Sequence, residues 1–283
     1  MTQSFKSMTQ LDPDIIMIVD SLNLSFRYLH EKKKDFLDSY LRTVESLRKS
    51  YRAGKVIIAC DSGNSSYRKA ILPEYKASRK LKYENQTPQE AEDFQQFFEE
   101  FNRIIDVYKE CDDYPVLRFP GVEADDIGAY IVKKCPDKKI WLMSTDRDWD
   151  LLVGENVSRF SYVTRKEITL DNWYEHYEYD PEDHISIKCL MGDGGDDVPG
   201  VNGIGPKKAY ALVKEYGTTY DIIVSLPIKS KYKHIQALNE FGANNLLRNY
   251  KLMDLLTYCD EALGPDNCKE INKVLENYVY NAS

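Results

Sequence analysis

Short apolar runs recur along the first half of the chain, and an acidic residue ends or follows each of them. The four runs are residues 15–20, 55–61, 116–119 and 139–146. Continuous apolar runs of this length are typical of strands that are buried on both faces of a parallel sheet. Apolar residues with helical spacing separate them, at 36–51 and at 94–108, the second preceded by a "TPQE" sequence that resembles a capping box. Strands that alternate with helices predict an α/β fold with a mostly parallel sheet flanked by helices.

Two departures from this alternation predict the domain organisation. From about residue 180 the pattern becomes mostly helical, so we expect an α/β core over 1–185 and a helical subdomain over 186–283. The segment of about 64–111 separates the second and third strand runs, and it is far longer than the roughly 2–6 residues of an ordinary connection in such folds. We expect it to form two helices that rise from the sheet edge as an arch.

Carboxylates gather where the predicted strands end. The carboxyl ends of parallel strands meet at one edge of the sheet, where ligands bind. A single acid on a loop is common, but a converging set raises the pKa of its members and needs cations. Oxygen donors without a histidine pair favour Mg²⁺ or Mn²⁺ over zinc, and two such ions about 3.5–4 Å apart serve phosphodiester hydrolysis. The set comprises Asp20, Asp61, Glu123, Asp125, Asp126, Asp146, Asp148, Asp193 and Asp196.

The sequence "GVNGIGPKKAYALV" near residue 200 resembles a helix-hairpin-helix element. Gly203 and Gly205 permit tight turns and a close approach of the backbone, and Pro206 suits the first turn of a helix. Amides at that helix start, with Lys207 and Lys208, can hold a phosphate. The alternative is an ordinary glycine-rich turn. We expect a surface that grips the nucleic-acid backbone without reading its sequence.

A second basic segment covers residues 67–83. Lys76, Arg79 and Lys80 have the spacing that places cations on one face of a helix. Tyr75 could stack on a nucleobase. By itself the segment is equally well explained as a solvated charged helix.

Bulk composition limits the classes of protein that fit. The chain has 283 residues and a net charge of −8, which would argue against a nucleic-acid partner if the charge were evenly spread. Its six cysteines form no CxxC pair and predict reduced thiols. The first residues lack a signal-peptide core, and no apolar run reaches the roughly 20 residues of a membrane helix. We expect a soluble cytoplasmic monomer, in the host cytoplasm if the gene belongs to a phage.

Five motifs, in order and in register, resemble the flap endonuclease or 5′→3′ exonuclease family over about residues 15–260. The likeness is strongest to the exonucleases of T-odd coliphages and to the 5′-nuclease domain of bacterial DNA polymerase I. It implies a PIN-like core, a helical arch, and cleavage of DNA at 5′ flaps and 5′ ends in replication and repair, with some action on RNA–DNA hybrids. The motifs are "VDSLNLSFR", "LPEYK" with Arg79, "VEADD", "STDRDWDLL" and "LMGDGGDDVPGVNGIGPKKA".

The resemblance also implies roles for particular residues. Lys76 and Arg79 would touch the scissile phosphate, and Asp126 would lie in or near the metal coordination sphere. The hairpin would bind a monovalent cation such as K⁺ through the carbonyls of Val201 and Ile204. One divalent metal would involve Asp20, Asp61, Glu123 and Asp125, and the other Asp146, Asp148, Asp193 and Asp196. The implied DNA contacts are Arg27, Tyr75, Lys76, Arg79, Lys80, Gly203, Gly205, Lys207 and Lys208.

Two positions depart from the family pattern. Ser21 stands where glycine often follows the first aspartate, and Asp197 stands where asparagine is common, which leaves open whether Asp196 or Asp197 faces the metal. The alternative enzyme is a PIN-type metal-dependent ribonuclease, which would lack the arch and the hairpin. A DNA-binding scaffold would not explain the carboxylates. Since no polymerase sequence follows, we expect a free-standing nuclease.

Overall fold

The computed structural model describes residues 10–281. Residues 1–9, which contain most of the segment tested for a signal peptide, and residues 282–283 lie outside the described part. Within 10–281, no helix is both long enough and apolar enough to span a membrane.

A single six-stranded sheet forms the centre of the molecule, in the order β3-β2-β1-β4-β5-β6. All neighbouring strands run parallel except β5 and β6, which are antiparallel. The predicted mostly parallel sheet is therefore confirmed. The strands are β1 (Asp12–Asp20), β2 (Ala53–Cys60), β3 (Val116–Arg118), β4 (Lys139–Met143), β5 (Val157–Ser161) and β6 (Lys166–Ile168).

Helices cover both faces of this sheet, as the continuous apolar runs predict. Along β1, Met17 and Val19 pack in one core cluster, and Ile16 and Ile18 in another on the opposite face. The helices are α1 (Ser21–His30), α2 (Leu37–Ser50), α3 (Ser66–Ile71), α4 (Ala77–Glu84), α5 (Pro88–Lys109), α6 (Ala124–Lys134), α7 (His184–Met191), α8 (Pro206–Tyr216), α9 (Thr219–Ser225), α10 (Lys233–Met253) and α11 (Leu255–Val274). The first face packs against α1, α2 and α5, and the second against α6 and α11.

Two features of the sheet differ from the sequence-based expectation. β4 ends at Met143, so Asp146 caps a short 3₁₀ helix, Arg147–Leu152, instead of ending the strand. Strands β5 and β6 were not expected, because they are short and interrupted by polar residues. One of these, Arg159, is buried and ion-paired with Asp150.

The excursion between β2 and β3 contains three helices and not two. The additional helix, α3, packs into the core through the buried Arg68. The basic helix α4 has no buried residue, and α5 starts at a complete capping box formed by Thr87 and Glu90. Phe97 and Phe101 of α5 pack into the core, so α4 is the part of the excursion that projects from it.

Helices α7 to α10, which follow β6, build a core of their own. Leu190 of α7, Leu212 of α8 and Leu238 of α10 belong to one buried cluster, together with Val201 and Ile204 of the loop between α7 and α8. Two helices joined by a glycine-rich loop match the predicted hairpin. The predicted domain boundary at residue 185 falls within α7 and stays a prediction.

Candidate active site

Three neighbouring strands bring carboxylates to one edge of the sheet. Asp20 is the last residue of β1, Asp61 directly follows β2, and Asp146 lies three residues beyond β4. Because β1 lies between β2 and β4, the three side chains meet in front of the centre of the sheet. Glu123 and Asp125 join them from the start of α6.

These five carboxylates line one cavity of about 520 Å³. Its opposite wall is formed by basic and aromatic residues of the excursion, namely Lys76, Arg79, Lys80, Tyr83, Phe98 and Phe101. Phe26 of α1 completes the apolar part of this wall. The cavity therefore combines an acidic floor with a cationic and aromatic side, as the sequence predicts.

Local hydrogen bonds fix Asp20 and Asp61. Asp20 caps α1 by accepting from the amide of Asn23 (3.2 Å), and its other oxygen accepts from the Ser144 hydroxyl (2.7 Å). Asp61 accepts from the amide of Ala124 (2.8 Å). Burial, and then the neighbouring carboxylate, raises the pKa of Asp20, and burial also raises the pKa of Asp61.

Burial and a neighbouring carboxylate raise the pKa values of both Asp125 and Asp146. Asp125 accepts from the indole nitrogen of Trp149 (2.8 Å). Burial, followed by the charge of Asp146, raises its pKa well above the ordinary value. Burial and the charge of Asp148 raise the pKa of Asp146 to about 6. Carboxylates held this close are stabilised by a bound cation.

A second group of carboxylates lies beside the first. Asp148, Asp193 and Asp196 surround a small enclosed space that Asp125 also lines. The ammonium group of Lys188 bridges Asp148 and Asp193, at 3.3 Å from Asp193. Although burial alone would raise the pKa of Asp148, Lys188 holds it below the ordinary value.

Lys188 was not singled out from the sequence. The available signal was its position as the only charged residue in "ISIKCLM" of α7, five residues before Asp193. A lysine in an otherwise apolar helix is expected to form an ion pair with an acidic residue if it is buried.

Glu123 belongs to the carboxylate cluster and also contacts residues of the basic segment. It accepts from the ammonium group of Lys76 (2.8 Å) and from the hydroxyl of Tyr75 (3.0 Å). Burial alone would raise its pKa, but Lys76 and Arg68 hold the pKa below the ordinary value. Tyr75 is 3% exposed, so the prediction that it stacks on a base is wrong for this structure. Its hydroxyl positions Glu123 and Asp196 instead.

Asp126 is turned away from the cavity. Both of its oxygens accept from the guanidinium of Arg68, at 2.8 and 2.9 Å, and it is 1% exposed. The prediction that Asp126 is a direct metal ligand is therefore corrected to a buried ion pair, and its place near the coordination sphere stays a prediction. Arg68 also reaches Glu123 at 3.2 Å. The sequence showed Arg68 only as part of a basic segment, because nothing local reveals its partner.

The structure distinguishes Asp196 from Asp197. Asp196 accepts from Arg79 (2.7 Å) and from Tyr75 (2.9 Å), inside the cluster. Asp197 has a φ of 57°, which turns its side chain outward to accept from the amide of Ser78 (2.8 Å). Asp196 is thus the member of the pair that faces the other carboxylates.

The hairpin loop depends on glycine at particular positions. A Cβ on Gly200 would lie 1.9 Å from the carbonyl oxygen of Met191. Gly203 has a φ of +74°, and the space beside both Gly203 and Gly205 is open. Open space at a helix start leaves room for a ligand to approach the amides.

Lys80 of the arch and Lys207 and Lys208 of the hairpin are exposed, whereas Val201 and Ile204 are buried. Lys208 donates to the carbonyl of Gly203 (2.7 Å), and the carbonyl of Val201 accepts from the amide of Ile204 (3.1 Å). Lys80 pairs with Glu84 within α4. Arg27 pairs with Glu31 on α1 and does not line the cavity. Its predicted DNA contact stays a prediction.

The residues of the cluster fit hard divalent cations in chemistry. Within residues 10–281, no three His, Cys, Asp or Glu side chains already stand in a metal-holding arrangement. Lysine and arginine groups instead contact Glu123, Asp148, Asp193 and Asp196. The donors are all carboxylate oxygens, and burial, with a smaller contribution from neighbouring carboxylates, raises the pKa values of Asp20, Asp61, Asp125 and Asp146. Both properties suit Mg²⁺ or Mn²⁺.

Comparison with known proteins identifies the family. Residues 15–178 match the 5′-3′ exonuclease N-terminal resolvase-like domain, and residues 179–273 match the 5′-3′ exonuclease C-terminal SAM fold. A flap endonuclease of Escherichia phage T5 is 45% identical over 253 residues, which are 88% of this chain and 86% of the relative. A 5′-3′ exonuclease of Aquifex aeolicus is 27% identical over 241 residues, 83% of this chain and 78% of the relative.

Solved structures of the phage T5 enzyme agree with the fold. One is a pseudo-enzyme-product complex with DNA and metal ions; it has a TM-score of 0.89 and 42% identity, and the match covers 94% of this chain and 99% of that one. Another contains zinc, with a TM-score of 0.89 and 43% identity at the same coverage. The chain therefore belongs to the 5′→3′ exonuclease family of nucleases, which includes flap endonucleases.

Proposed function

We propose that this chain hydrolyses DNA phosphodiesters at 5′ flaps and 5′ ends with two divalent cations, leaving a 5′-phosphate and a 3′-hydroxyl. The observation that carries the proposal is the single cavity that joins five carboxylates to the basic side of α4. The DNA and metal ions in the phage T5 enzyme structures support it. Its role would be in DNA replication and repair, as a cytoplasmic monomer, with RNA–DNA hybrids as further substrates.

The carboxylates divide into two candidate ligand sets. Two Mg²⁺ ions, or Mn²⁺ in their place, would lower the pKa of the attacking water and stabilise the leaving oxygen. Asp125 lines both the larger cavity and the small enclosed space, so it suits a bridging position. The first set is Asp20, Asp61, Glu123 and Asp125, and the second is Asp146, Asp148, Asp193 and Asp196.

Lys76 and Arg79 would hold the scissile phosphate. Lys76 contacts Glu123 at 2.8 Å, and Arg79 contacts Asp196 at 2.7 Å. Both cations therefore lie at the boundary between the cavity floor and the arch. A phosphate that enters the cavity would replace Glu123 as the partner of Lys76 and Asp196 as the partner of Arg79.

The arch wall suits a single strand. Lys80 and Tyr83 of α4 and Phe98 of α5 all line the cavity, and stacking on aromatic rings tolerates any base. The hairpin would hold the duplex outside the arch through Gly203, Gly205, Lys207 and Lys208. A K⁺ ion bound by the carbonyls of Val201 and Ile204 would add positive charge at that surface.

A labelled 5′-flap duplex tests the proposed activity directly. We expect cleavage with Mg²⁺ and with Mn²⁺, slower cleavage of a blunt duplex, and none in excess EDTA. Ca²⁺ should support binding without turnover, because its larger radius and looser coordination misplace the reacting groups. A single-stranded RNA of the flap sequence is the control for a PIN-type ribonuclease. Strong cleavage in Ca²⁺ or EDTA, or preferential cleavage of that RNA, contradicts the proposal.

The hairpin lysines should act on binding and not on chemistry. In the double variant Lys207→Ala and Lys208→Ala, duplex affinity should fall, and the slope of log affinity against log salt should decrease by about 0.9 for each lost phosphate contact. The single-turnover rate at saturating enzyme should stay near that of the unmodified protein. Lys214→Ala, on the same helix, is the matched control. A large loss of the saturated rate would mean that the hairpin contributes to chemistry.

Threading of the flap through the arch can be tested with a blocked 5′ end. A flap capped with a bulky protein before the enzyme is added should be cut much more slowly than a free flap, because the capped end could not pass through the proposed arch. A flap capped after the complex has formed should still be cut. Equal rates for pre-capped and free flaps would rule out threading and leave the metal chemistry unaffected.

A further inference from the structure

A second large cavity is lined in part by Lys188, and we call it the recess. Its volume is about 920 Å³, which falls within the range of about 300–1,000 Å³ of small-molecule sites. Its lining includes Tyr177, Tyr179, His184, Lys207 and Tyr210. The carboxylate cavity shares none of these residues.

The recess has an aromatic lining. The rings of Tyr179 and His184 are stacked, with centroids 5.7 Å apart, and Tyr210 lies 5.9 Å from Tyr179 on the other side. Tyr177 is 5.3 Å from Tyr179. A duplex backbone alone would require no such surface, whereas a planar heterocycle stacks on it.

The recess is also strongly basic. Arg147, Lys207 and Lys208 line it, together with Lys188, whose ammonium group is already paired with Asp148 and Asp193. Glu178 is the one acidic residue among the lining residues. It opens beside the start of α8, where amides favour an anion. An aromatic surface together with excess positive charge suits an aromatic ligand that carries phosphate.

His184 adds a third observation. Its Nδ1 lies 2.9 Å from the hydroxyl of Tyr179, but its buried Nε2 has no hydrogen-bond partner among residues 10–281. Burial lowers the pKa of His184 to about 4, so the ring is neutral. Buried polar atoms are normally paired, and a small adjustment of the ring would let an occupant of the recess supply the missing partner.

We propose that the recess binds a nucleotide, with the base on the tyrosines and the phosphate near Lys207 and Arg147. The nucleotide would be either a free 5′-mononucleotide or one unpaired nucleotide of a bound DNA strand. This proposal goes beyond the cleavage activity, since it concerns a site that contains none of the proposed metal ligands.

The first test measures binding of free dAMP by calorimetry in EDTA, where no cleavage occurs. We expect dAMP to bind at least about tenfold more tightly than inorganic phosphate or deoxyadenosine alone, because only dAMP uses both parts of the recess. Tyr210→Leu should weaken dAMP binding about fivefold or more, which corresponds to the low end of the free energy of base–aromatic stacking. Tyr174→Leu is the matched control, since Tyr174 is 67% exposed and outside the recess.

The second test shows whether the recess takes an unpaired nucleotide of a bound DNA strand. A duplex with one unpaired 2-aminopurine nucleotide should show quenched fluorescence on binding if that base enters the recess, and Tyr210→Leu should restore the fluorescence while Tyr174→Leu should not. Photocrosslinking of 8-azido-dAMP to the unmodified protein gives the location without relying on a variant. Labelled peptides should fall within 176–191 or 203–210.

The results of these tests distinguish the two nucleotide sources from each other and from failure of the proposal. Binding of free dAMP that depends on Tyr210 supports the recess as a mononucleotide site. Tyr210-dependent quenching without free dAMP binding supports the unpaired-nucleotide source. The proposal is overturned if neither signal depends on Tyr210, or if crosslinks fall only at the carboxylate cavity. None of these results depends on flap cleavage, which the metal assay tests by itself.

Discussion

The variants Asp146→Asn and Asp193→Asn should each lose flap cleavage by about a thousandfold or more, with flap binding unchanged or tighter. Loss of a ligand to a catalytic ion removes several kcal/mol of transition-state stabilisation, and about 4 kcal/mol corresponds to this factor. Binding should not suffer, because a negative charge near the DNA is removed. Single-turnover rates with Mg²⁺ and equilibrium binding in Ca²⁺ measure the two effects.

Asp197→Asn is the matched control for these two variants. Asp197 has its side chain outside the cluster, bonded to the amide of Ser78, and an asparagine oxygen can accept the same bond. Its rate should stay within about threefold of the unmodified protein, inside the range of small context effects on a surface residue. If Asp197→Asn is as inactive as Asp193→Asn, the distinction drawn between Asp196 and Asp197 is wrong.

The variant Lys76→Ala should lower the saturated single-turnover rate by about 10²–10³, with a much smaller effect on flap affinity. A fixed cation next to the scissile phosphate acts mainly where negative charge develops in the transition state. The fold should persist, because Arg68 and Tyr75 still contact Glu123. A thermal melt with and without Ca²⁺ checks this.

Lys82→Ala is the control for Lys76→Ala, since Lys82 is an exposed lysine of the same basic helix and does not line the cavity. It should leave the rate unchanged. If Lys76→Ala keeps its saturated rate and the hairpin double variant loses it, the two basic elements have exchanged roles. If both lysine variants of α4 weaken binding equally and spare the rate, Lys76 is only part of a general electrostatic surface.

Periodicity and strand ends predicted the parts of the molecule that depend on local sequence. The apolar runs located β1 to β4, and the acids after them located the floor of the cavity. Strands β5 and β6 were not predicted. Arg159 interrupts the apolar pattern of β5, and its buried partner, Asp150, comes from another element.

The residues whose surroundings the sequence did not reveal have one feature in common. Tyr75, Asp126 and Lys188 each looked like an exposed or isolated polar residue, and each is half-buried or buried against a partner more than four residues away in sequence. Local sequence cannot reveal such partners. The choice between Asp196 and Asp197 likewise depends on one backbone angle, the φ of 57° at Asp197.

The root of the arch has a consequence for how the protein folds. The amide of Lys76 donates to the carbonyl of Asp196 (3.0 Å), and Tyr75 reaches the carboxylate of Asp196, 121 positions away along the chain. Closing a loop of that length costs conformational entropy that only a well-formed native structure offsets. The full carboxylate cluster, with Asp196 beside the root of the arch, is therefore a high contact-order feature assembled from both sides of the proposed domain boundary. An N-terminal half made by itself would keep its sheet and most of its acids but would lack the segment that fixes the arch above them.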